Sequence, residues 1–436
     1  ADGLAVWRLR LSSPGALSLN LGFTACDLPP TARLVVRPAA GGDALVYAGA
    51  DLLPGRELWT PVLLTDDLVV ELTVAPADRD GLRLELARFN RGYRYFGAPA
   101  QDKAGTCNID VACPDGDDWR AEIRSVGVYQ LSGAWKCTGA MINNTALDGR
   151  PLFLTASHCN VTAANDQTIV VYWNFESPDC GDQGGGSLAD NQSGSTLLAH
   201  SAASDFCLLE LVDDPDPAWS VTFAGWNRAD AVPPAAVTIH HPSTDEKSIS
   251  FDDGPLTVTS YLQTSSPGDG THLRVSAWDR GTTEPGSSGA PIFDPDRRIV
   301  GQLHGGYASC ELPNESDWFG RLARAWEGEG TPATRLRDWL DPASTGAVTQ
   351  DLMDRSGGVL VVTPTTGVDF SGPLGGPFTP QGATYTLANG GIAALDWRAA
   401  TDAAWLAASP AAGILAPGAQ TTVTVALTAA ADGLAA

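Results

Sequence analysis

The apolar residues of this chain arrive in short runs, and those runs are broken by 47 glycines and 30 prolines. An amphipathic helix needs apolar positions every three or four residues over a dozen or more, whereas a strand needs only a short run between turn residues. Segments 32–36 and 67–74 fit the second pattern and are bounded by Pro, Gly and Asp. Segment 167–173 is similar. An all-β protein is therefore expected, with one helix near residues 334–340, where Asp341-Pro342 supplies a stop signal. No apolar run reaches the ~18 residues that cross a bilayer, so no membrane span is expected. A length of 436 residues suits two or three domains with cores of normal size.

Three regions differ in character. Residues 1–103 read as an independent β unit, closing with Gly92-Tyr93-Arg94-Tyr95-Phe96-Gly97 and a linker rich in Pro, Ala, Gln and Asp. Residues 104–352 hold most of the cysteines and all six histidines. Residues 357–436 are poor in charge and rich in Thr, Gly, Pro and Ala. Their strand-like segments 383–387 and 420–427 suggest an immunoglobulin-like sandwich, short enough to lack its last strands. No charged-then-apolar signal stands at Ala1, so an exported protein would have lost its signal before this numbering starts.

Eight cysteines are present and none forms a Cys-x-x-Cys pair, which disfavours a zinc ribbon or a thioredoxin-type motif. Setting aside Cys26 and Cys207, six lie between Cys107 and Cys310. A dispersed, even set in a Gly-rich β protein reads as disulfides made in an oxidising compartment, hence a secreted protein. The formal charge of −24 excludes a phosphate-tracking nucleic-acid binder, which needs a basic face. It suits cationic substrates and equally suits simple solubility. Lysine occurs only at Lys103, Lys136 and Lys247, as would suit an enzyme that must not digest itself at lysine.

Three strings carry chemistry. Leu154-Thr155-Ala156-Ser157-His158-Cys159 offers a general base, since histidine starts near pH neutrality, and Cys159 can pin its loop, most simply to Cys137. Glu284-Pro285-Gly286-Ser287-Ser288-Gly289 offers a nucleophile on a tight, glycine-flanked turn. Position 290 is Ala, so this is not the Gly-x-Ser-x-Gly elbow of α/β-hydrolases. Ala203-Ser204-Asp205-Phe206-Cys207 brings an acid into an apolar strand, where orienting an imidazole would compensate its burial. The chain order His, Asp, Ser is that of chymotrypsin. Period-2 alternation would put Cys207 on the same strand face as Asp205; it reads as a free thiol or as a partner of Cys26.

With these strings on the page, residues 106–347 resemble the bacterial lysyl endopeptidases of the trypsin-like family. The matching strings include Thr106-Cys107-Asn108-Ile109-Asp110-Val111, His158-Cys159, Ser204-Asp205-Phe206, His240-His241-Pro242, Thr283-Glu284-Pro285-Gly286-Ser287-Ser288-Gly289, Gly301-Gln302-Leu303-His304-Gly305-Gly306 and Asp338-Trp339-Leu340-Asp341-Pro342. The resemblance implies a trypsin-like double six-stranded β-barrel and disulfides Cys107–Cys310, Cys113–Cys180 and Cys137–Cys159. It implies an oxyanion hole from the N–H groups of Gly286 and Ser288. Trypsin's specificity carboxylate stands six residues before the nucleophile, and here that position is Thr282. In lysyl endopeptidases the carboxylate comes from a later loop, and the matching residue is Asp317. Glu284 is a second acid near the pocket, with a structural role equally open. The family stacks a histidine on a tryptophan beside the active site; His304 matches the histidine, and Tyr261 stands for the tryptophan. Residue 287 is Ser where trypsin has the Asp that binds its new N-terminal amine, so activation by that pair is not expected.

Residues 1–103 resemble the propeptides of such proteases, and a self-inflicted cut between Lys103 and Ala104 is expected. The tail resembles Ig-like or BACON-type accessory modules, which bind protein or glycan at a surface or act as spacers. No cofactor and no metal is expected. Adjacent His240 and His241 would point to opposite faces of a strand, which disfavours a metal pair. The competing readings are arginyl or glutamyl specificity, the latter through a pocket histidine such as His304, and a non-catalytic binding protein on a protease scaffold.

Overall fold

A computed structural model describes residues 3–92, 104–181, 184–391 and 393–433. The chain divides into two compact units: Ala1–Thr145, Arg150–Pro215 and Phe223–Leu352 form one, and Ala146–Gly149, Asp216–Thr222 and Met353–Ala436 form the other.

The first unit begins with two small sheets. One orders the strands Ala5–Ser12, Asp67–Val74, Arg33–Pro38 and Leu45–Ala48; the other orders Leu58–Trp59, Ser18–Asp27 and Arg83–Gly92. Strand Asp67–Val74 has the alternation expected of a half-buried strand: Leu68, Val70, Leu72 and Val74 face inward and the residues between them are less buried. These side chains meet Leu19, Leu21, Phe23, Leu34 and Val36 in a core of their own. Of the expected closing segment 92–97, Gly92 ends a strand and the rest lies outside the described residues.

Two larger sheets follow. The first orders Asn191–Ser193, Ile169–Tyr172, Val126–Leu131, Ala134–Met141, Leu152–Ala156, Phe206–Leu211 and Ser195–Ser201. The second contains ten strands, among them Ala236–His240, Pro291–Phe293, Ile299–Gly306 and Asp317–Arg321. This is the mostly β, trypsin-like architecture that the sequence led us to expect. The strand counts exceed six because short edge strands such as Asn191–Ser193 and Ile109–Asp110 join the sheets. Side chains from both sheets, including Val126, Leu154, Phe206, Leu208, Ile239 and Phe293, share one core. The expected helix near 334–340 ends at Leu340 but begins only at Arg337, because the Thr334 N–H turns back to the Thr331 carbonyl and the Leu336 N–H donates to the Ala325 carbonyl.

The N-terminal sheets touch the first large sheet through polar and apolar contacts. The Val62 N–H donates to the Tyr172 hydroxyl at 3.0 Å, and the Ser193 hydroxyl donates to the Trp59 carbonyl at 2.8 Å. Trp59 packs in a cluster with Val128, Val170, Tyr172 and Phe175. Cystines Cys107–Cys310, Cys113–Cys180 and Cys137–Cys159 are formed, and Cys26 and Cys207 are free and buried.

The second unit holds a four-stranded sheet, Leu360–Thr363, Gly382–Asn389, Gln420–Leu427 and Leu406–Ser409, and a two-stranded one, Leu395–Arg398 with Ala412–Leu415. Leu387, Trp397, Leu415 and Val423 form its core. Among the described residues, no helix is long and apolar enough to cross a membrane.

Candidate active site

Register brings His158 and Asp205 together. Strands Leu152–Ala156 and Phe206–Leu211 are antiparallel with Ala156 opposite Phe206. His158 lies just beyond the end of the first strand, and Asp205 lies just before the start of the second, so both fall at one end of the pair. The turn Ser157–Cys159 follows at once, and the Cys137–Cys159 bridge ties it to the neighbouring strand. Asp205 takes a left-handed φ of 53°, a conformation that Asp tolerates better than most residues. The alternation argument for Cys207 therefore does not extend back to Asp205, which stands outside the strand.

The Asp205 carboxylate accepts the His158 backbone N–H at 2.9 Å and faces His158 Nδ1 at 2.7 Å. Its side chain is 2% exposed. On the far side of the ring, His158 Nε2 lies 2.8 Å from Ser288 Oγ. Asp205 thus favours the tautomer with Nδ1 protonated, which leaves Nε2 to accept the serine proton.

Ser288 stands on a turn that leads into strand Pro291–Phe293. The Ser288 carbonyl accepts the Thr138 N–H at 2.9 Å, and the Gly289 N–H donates to the Leu303 carbonyl at 2.8 Å. Gly286 and Gly289 take φ values of 100° and 81°. A side chain on Gly289 would overlap Thr155 Oγ1 and the Thr138 carbonyl, so glycine is required there on two counts. Neither the Gly286 N–H nor the Ser288 N–H meets an acceptor among the described residues, which leaves both able to donate to an oxyanion. Ser287 turns inward, its Oγ 2.7 Å from His240 Nδ1.

An aromatic stack lies over His158. The Tyr261 and His304 rings lie 3.5 Å apart and 2° from parallel, and His304 in turn stacks over His158 at 5.2 Å. Burial pulls the His304 imidazole down to about 4, against a raising pull from Asp205. His304 Nδ1 lies 3.0 Å from His272 Nε2, and burial also pulls His272 down to about 4. Both rings are neutral near pH 7.

Asp317 opens strand Asp317–Arg321 and is 1% exposed. Its Oδ2 accepts from Trp278 Nε1 at 2.7 Å and from Thr283 Oγ1 at 2.8 Å. Burial raises its pKa above the usual carboxylate range, opposed by those hydrogen bonds. Gly306 is its partner across the sheet, and any side chain there would overlap Asp317 Oδ1. No cation pairs with Asp317 among the described residues.

The sequence profile described as "Lysyl endopeptidase, C-terminal domain" matches residues 101–320. A curated lysyl endopeptidase of Pseudomonas aeruginosa is 30% identical over 356 residues, which is 73% of this chain and 73% of that protein. The chain belongs to the lysyl endopeptidase family. It is a serine endopeptidase, and its substrates are proteins or peptides. Solved structures similar to it include the active form of the Rv3671c protease from M. tuberculosis, 15% identical with a TM-score of 0.31 over 52% of this chain and 88% of that one. A Glu endopeptidase in complex with MPD is 15% identical with a TM-score of 0.31 over 46% of this chain and 86% of that one.

Within this member of the family, the Glu284 carboxylate shares no partner with Asp317, although the neighbouring Thr283 bonds Asp317. Its carboxylate accepts the Gly105 N–H at 3.0 Å and the Ser243 hydroxyl at 3.1 Å. Lys103 lies outside the described residues, whereas Ala104 is buried. His240 and His241 are each engaged internally, His240 by Ser287 and Ser250 and His241 by the Asp245 carbonyl. His158, Asp205 and His304 offer ligand atoms within 4.8 Å of one another. Both ring nitrogens of His158 are already taken by Asp205 and Ser288, so the cluster is arranged for proton handling. Sequence reasoning missed His272, Trp278, Thr283 and Gln302; the Gln302 amide donates to the Ser204 carbonyl at 2.8 Å and so steadies the Asp205 loop.

Proposed function

We propose that this serine endopeptidase is secreted and cuts on the carboxyl side of lysine, with Ser288, His158 and Asp205 as its triad. Ser288 Oγ attacks the scissile carbonyl while His158 Nε2 takes its proton. The N–H groups of Gly286 and Ser288 receive the oxyanion. His158 then gives the proton to the leaving amine, and the acyl-enzyme forms. Water repeats the sequence in reverse order, with His158 again as base, and frees the carboxylate product. Asp205 holds the imidazolium throughout.

The observation that carries the lysine preference is Asp317. It is a desolvated carboxylate that has neutral donors and, among the described residues, no cation. A substrate ammonium would complete it, because burying one charge unpaired is costly. A compact ammonium suits this setting better than a planar guanidinium, whose fork would need a second, matched set of acceptors. Glutamyl specificity is disfavoured, because it needs a fixed cation and His304 is neutral.

Residues 1–103 are read as a propeptide, removed by a cut between Lys103 and Ala104. Residues 357–436 are read as an accessory module that binds protein or glycan at a surface. The three cystines support export to an oxidising compartment. The test is a fluorophosphonate probe followed by peptide mapping, together with digestion of a proteome-derived peptide mixture. The label should fall on Ser288, Ser288→Ala should abolish both label and hydrolysis, and new C-termini should be dominated by lysine. Label on another serine, or termini without a cationic bias, would overturn the reading.

A further inference from the structure

We propose that Asp245 is the receptor for the α-ammonium group that appears on Ala104 when the chain is cut after Lys103, and that this pair braces the nucleophile turn. The proposal rests on the processing reading above. Ala104 is 8% exposed, and its N–H already points at Asp245 Oδ2, at 3.2 Å. The next nitrogen, that of Gly105, donates to both oxygens of Glu284 at 3.0 and 3.2 Å. Two consecutive nitrogens therefore meet two carboxylates. Asp245 is 7% exposed, and no cation pairs with either acid among the described residues. A single amide N–H is a weak match for a buried carboxylate. An ammonium brings a full charge and three donors to the same place.

The seat is built to hold this end of the chain. Any side chain on Gly105 would overlap Cys310 Sγ and would come within 2.7 Å of Glu284 Oε1. The Cys107–Cys310 bridge anchors the segment two residues further on.

From Asp245 the contacts run to the oxyanion donor. Residues 241–245 form a tight loop in which the Asp245 N–H donates to the Pro242 carbonyl, and His241 Nδ1 meets the Asp245 carbonyl. Ser243 Oγ donates to Glu284, the first residue of the nucleophile turn. The backbone N of Thr244 stands where a side chain on Gly286 would have to go. Thr138 Oγ1 accepts the His241 N–H at 3.1 Å and donates to the Gly286 carbonyl at 2.9 Å. Fixing Asp245 therefore fixes the wall against which Gly286 presents its N–H. Residue 287 is a serine already bonded to His240, so it supplies no carboxylate. The receptor acid has moved to a neighbouring loop.

The chemistry balances with what the enzyme supplies. Hydrolysis adds water across the Lys103–Ala104 bond, leaving a carboxylate on Lys103 and an amine on Ala104. A free α-amine has a pKa of about 8 and is mostly protonated at pH 7. Pairing with Asp245 raises that value, so the brace holds below it and fails as pH rises through it.

The test uses the mature enzyme. N-terminal sequencing first establishes the terminus. An acetylating reagent is then applied at pH 7, and labelling of the Ala104 amine is compared by peptide mass with labelling of Lys136. A one-unit rise in amine pKa lowers the reactive fraction about tenfold. The Ala104 amine should therefore react about tenfold more slowly in the enzyme than in a free Ala-Gly-Thr peptide. Asp245→Asn should remove most of that protection and lower kcat more than it raises KM, and Asp245→Glu should restore part of both. A terminus at Ala104 whose amine reacts as fast as the peptide's overturns the proposal even where Asp245→Asn fails to fold. A terminus elsewhere defeats the processing reading itself, and the proposal with it.

Discussion

Asp205 and Asp317 are two buried carboxylates of the proposed active site, 2% and 1% exposed, and they are treated in opposite ways. Asp205 is completed by its own chain: it holds the His158 backbone N–H and the His158 ring, and it has a second imidazole, His304, 3.7 Å away. Asp317 is given the neutral donors Trp278, Thr283 and the Ala308 backbone and, among the described residues, nothing charged. The first arrangement sets a proton-transfer geometry before any substrate arrives. The second leaves a debt of charge, and we read that debt as the basis of specificity, because the ligand that settles it must carry a cation.

The contrast can be broken from either side. The largest effect is expected at Asp205. Asp205→Asn should lower kcat by about ten-thousandfold, the scale known for loss of this orienting acid in such triads, while a cationic competitive inhibitor binds as before. Weakened inhibitor binding of similar size would mean that the two acids are not separable.

Acid should act on the two regions with opposite signs. His272 and His304 have folded pKa values near 4, held down by burial, against about 6.5 unfolded. Between those values the unfolded chain binds protons that the folded chain refuses, so their contribution to stability is full above about pH 6.5 and is lost as pH falls toward 4. Asp317, with its folded pKa raised, regains stability as pH falls and it protonates. His272→Gln should therefore flatten the drop in Tm between pH 6.5 and 4, measured by scanning calorimetry. An unchanged slope would contradict the burial-driven shift.

The smallest effect concerns Asp317 at pH 7. Its raised pKa means that the charged form costs the fold stability, so Asp317→Asn should raise Tm by about 1–3 °C, the shift that ~1 kcal/mol gives in a protein of this size. A lower Tm would mean that the carboxylate holds the fold together.

How much of this was legible in the sequence follows from what each feature depends on. The strings whose residues His158, Asp205 and Ser288 the structure brings together were readable because a histidine beside a cystine and a serine between glycines are local patterns. Strand 67–74 was readable because alternation is local too. His272 and Gln302 were not, because their contacts depend on sheet register: His272 sits opposite Gly320, and Gln302 also sits opposite Gly320 from the other side. The alternation argument failed at Asp205 because one left-handed residue breaks the period. Glu284 lies close to Ser288 in sequence, yet its carboxylate turns toward Gly105, a contact across 179 residues that no spacing reveals. The helix came out short at its start because the Leu336 N–H is taken by Ala325, a contact that no local pattern reveals.

The central claim is that Asp317 is the uncompensated charge that selects lysine. The most direct measurement is the ratio of kcat/KM for a lysyl peptide to that for the matched norleucyl peptide, in the native enzyme and in Asp317→Asn. Removing one partner of a buried charge pair costs about 2–5 kcal/mol, roughly 30-fold to several thousand-fold. The ratio should fall by that factor, while Ser288 reacts with a small neutral fluorophosphonate at its native rate. A ratio that survives Asp317→Asn, or one that collapses in Glu284→Gln alone, would contradict the assignment and move the specificity charge to Glu284.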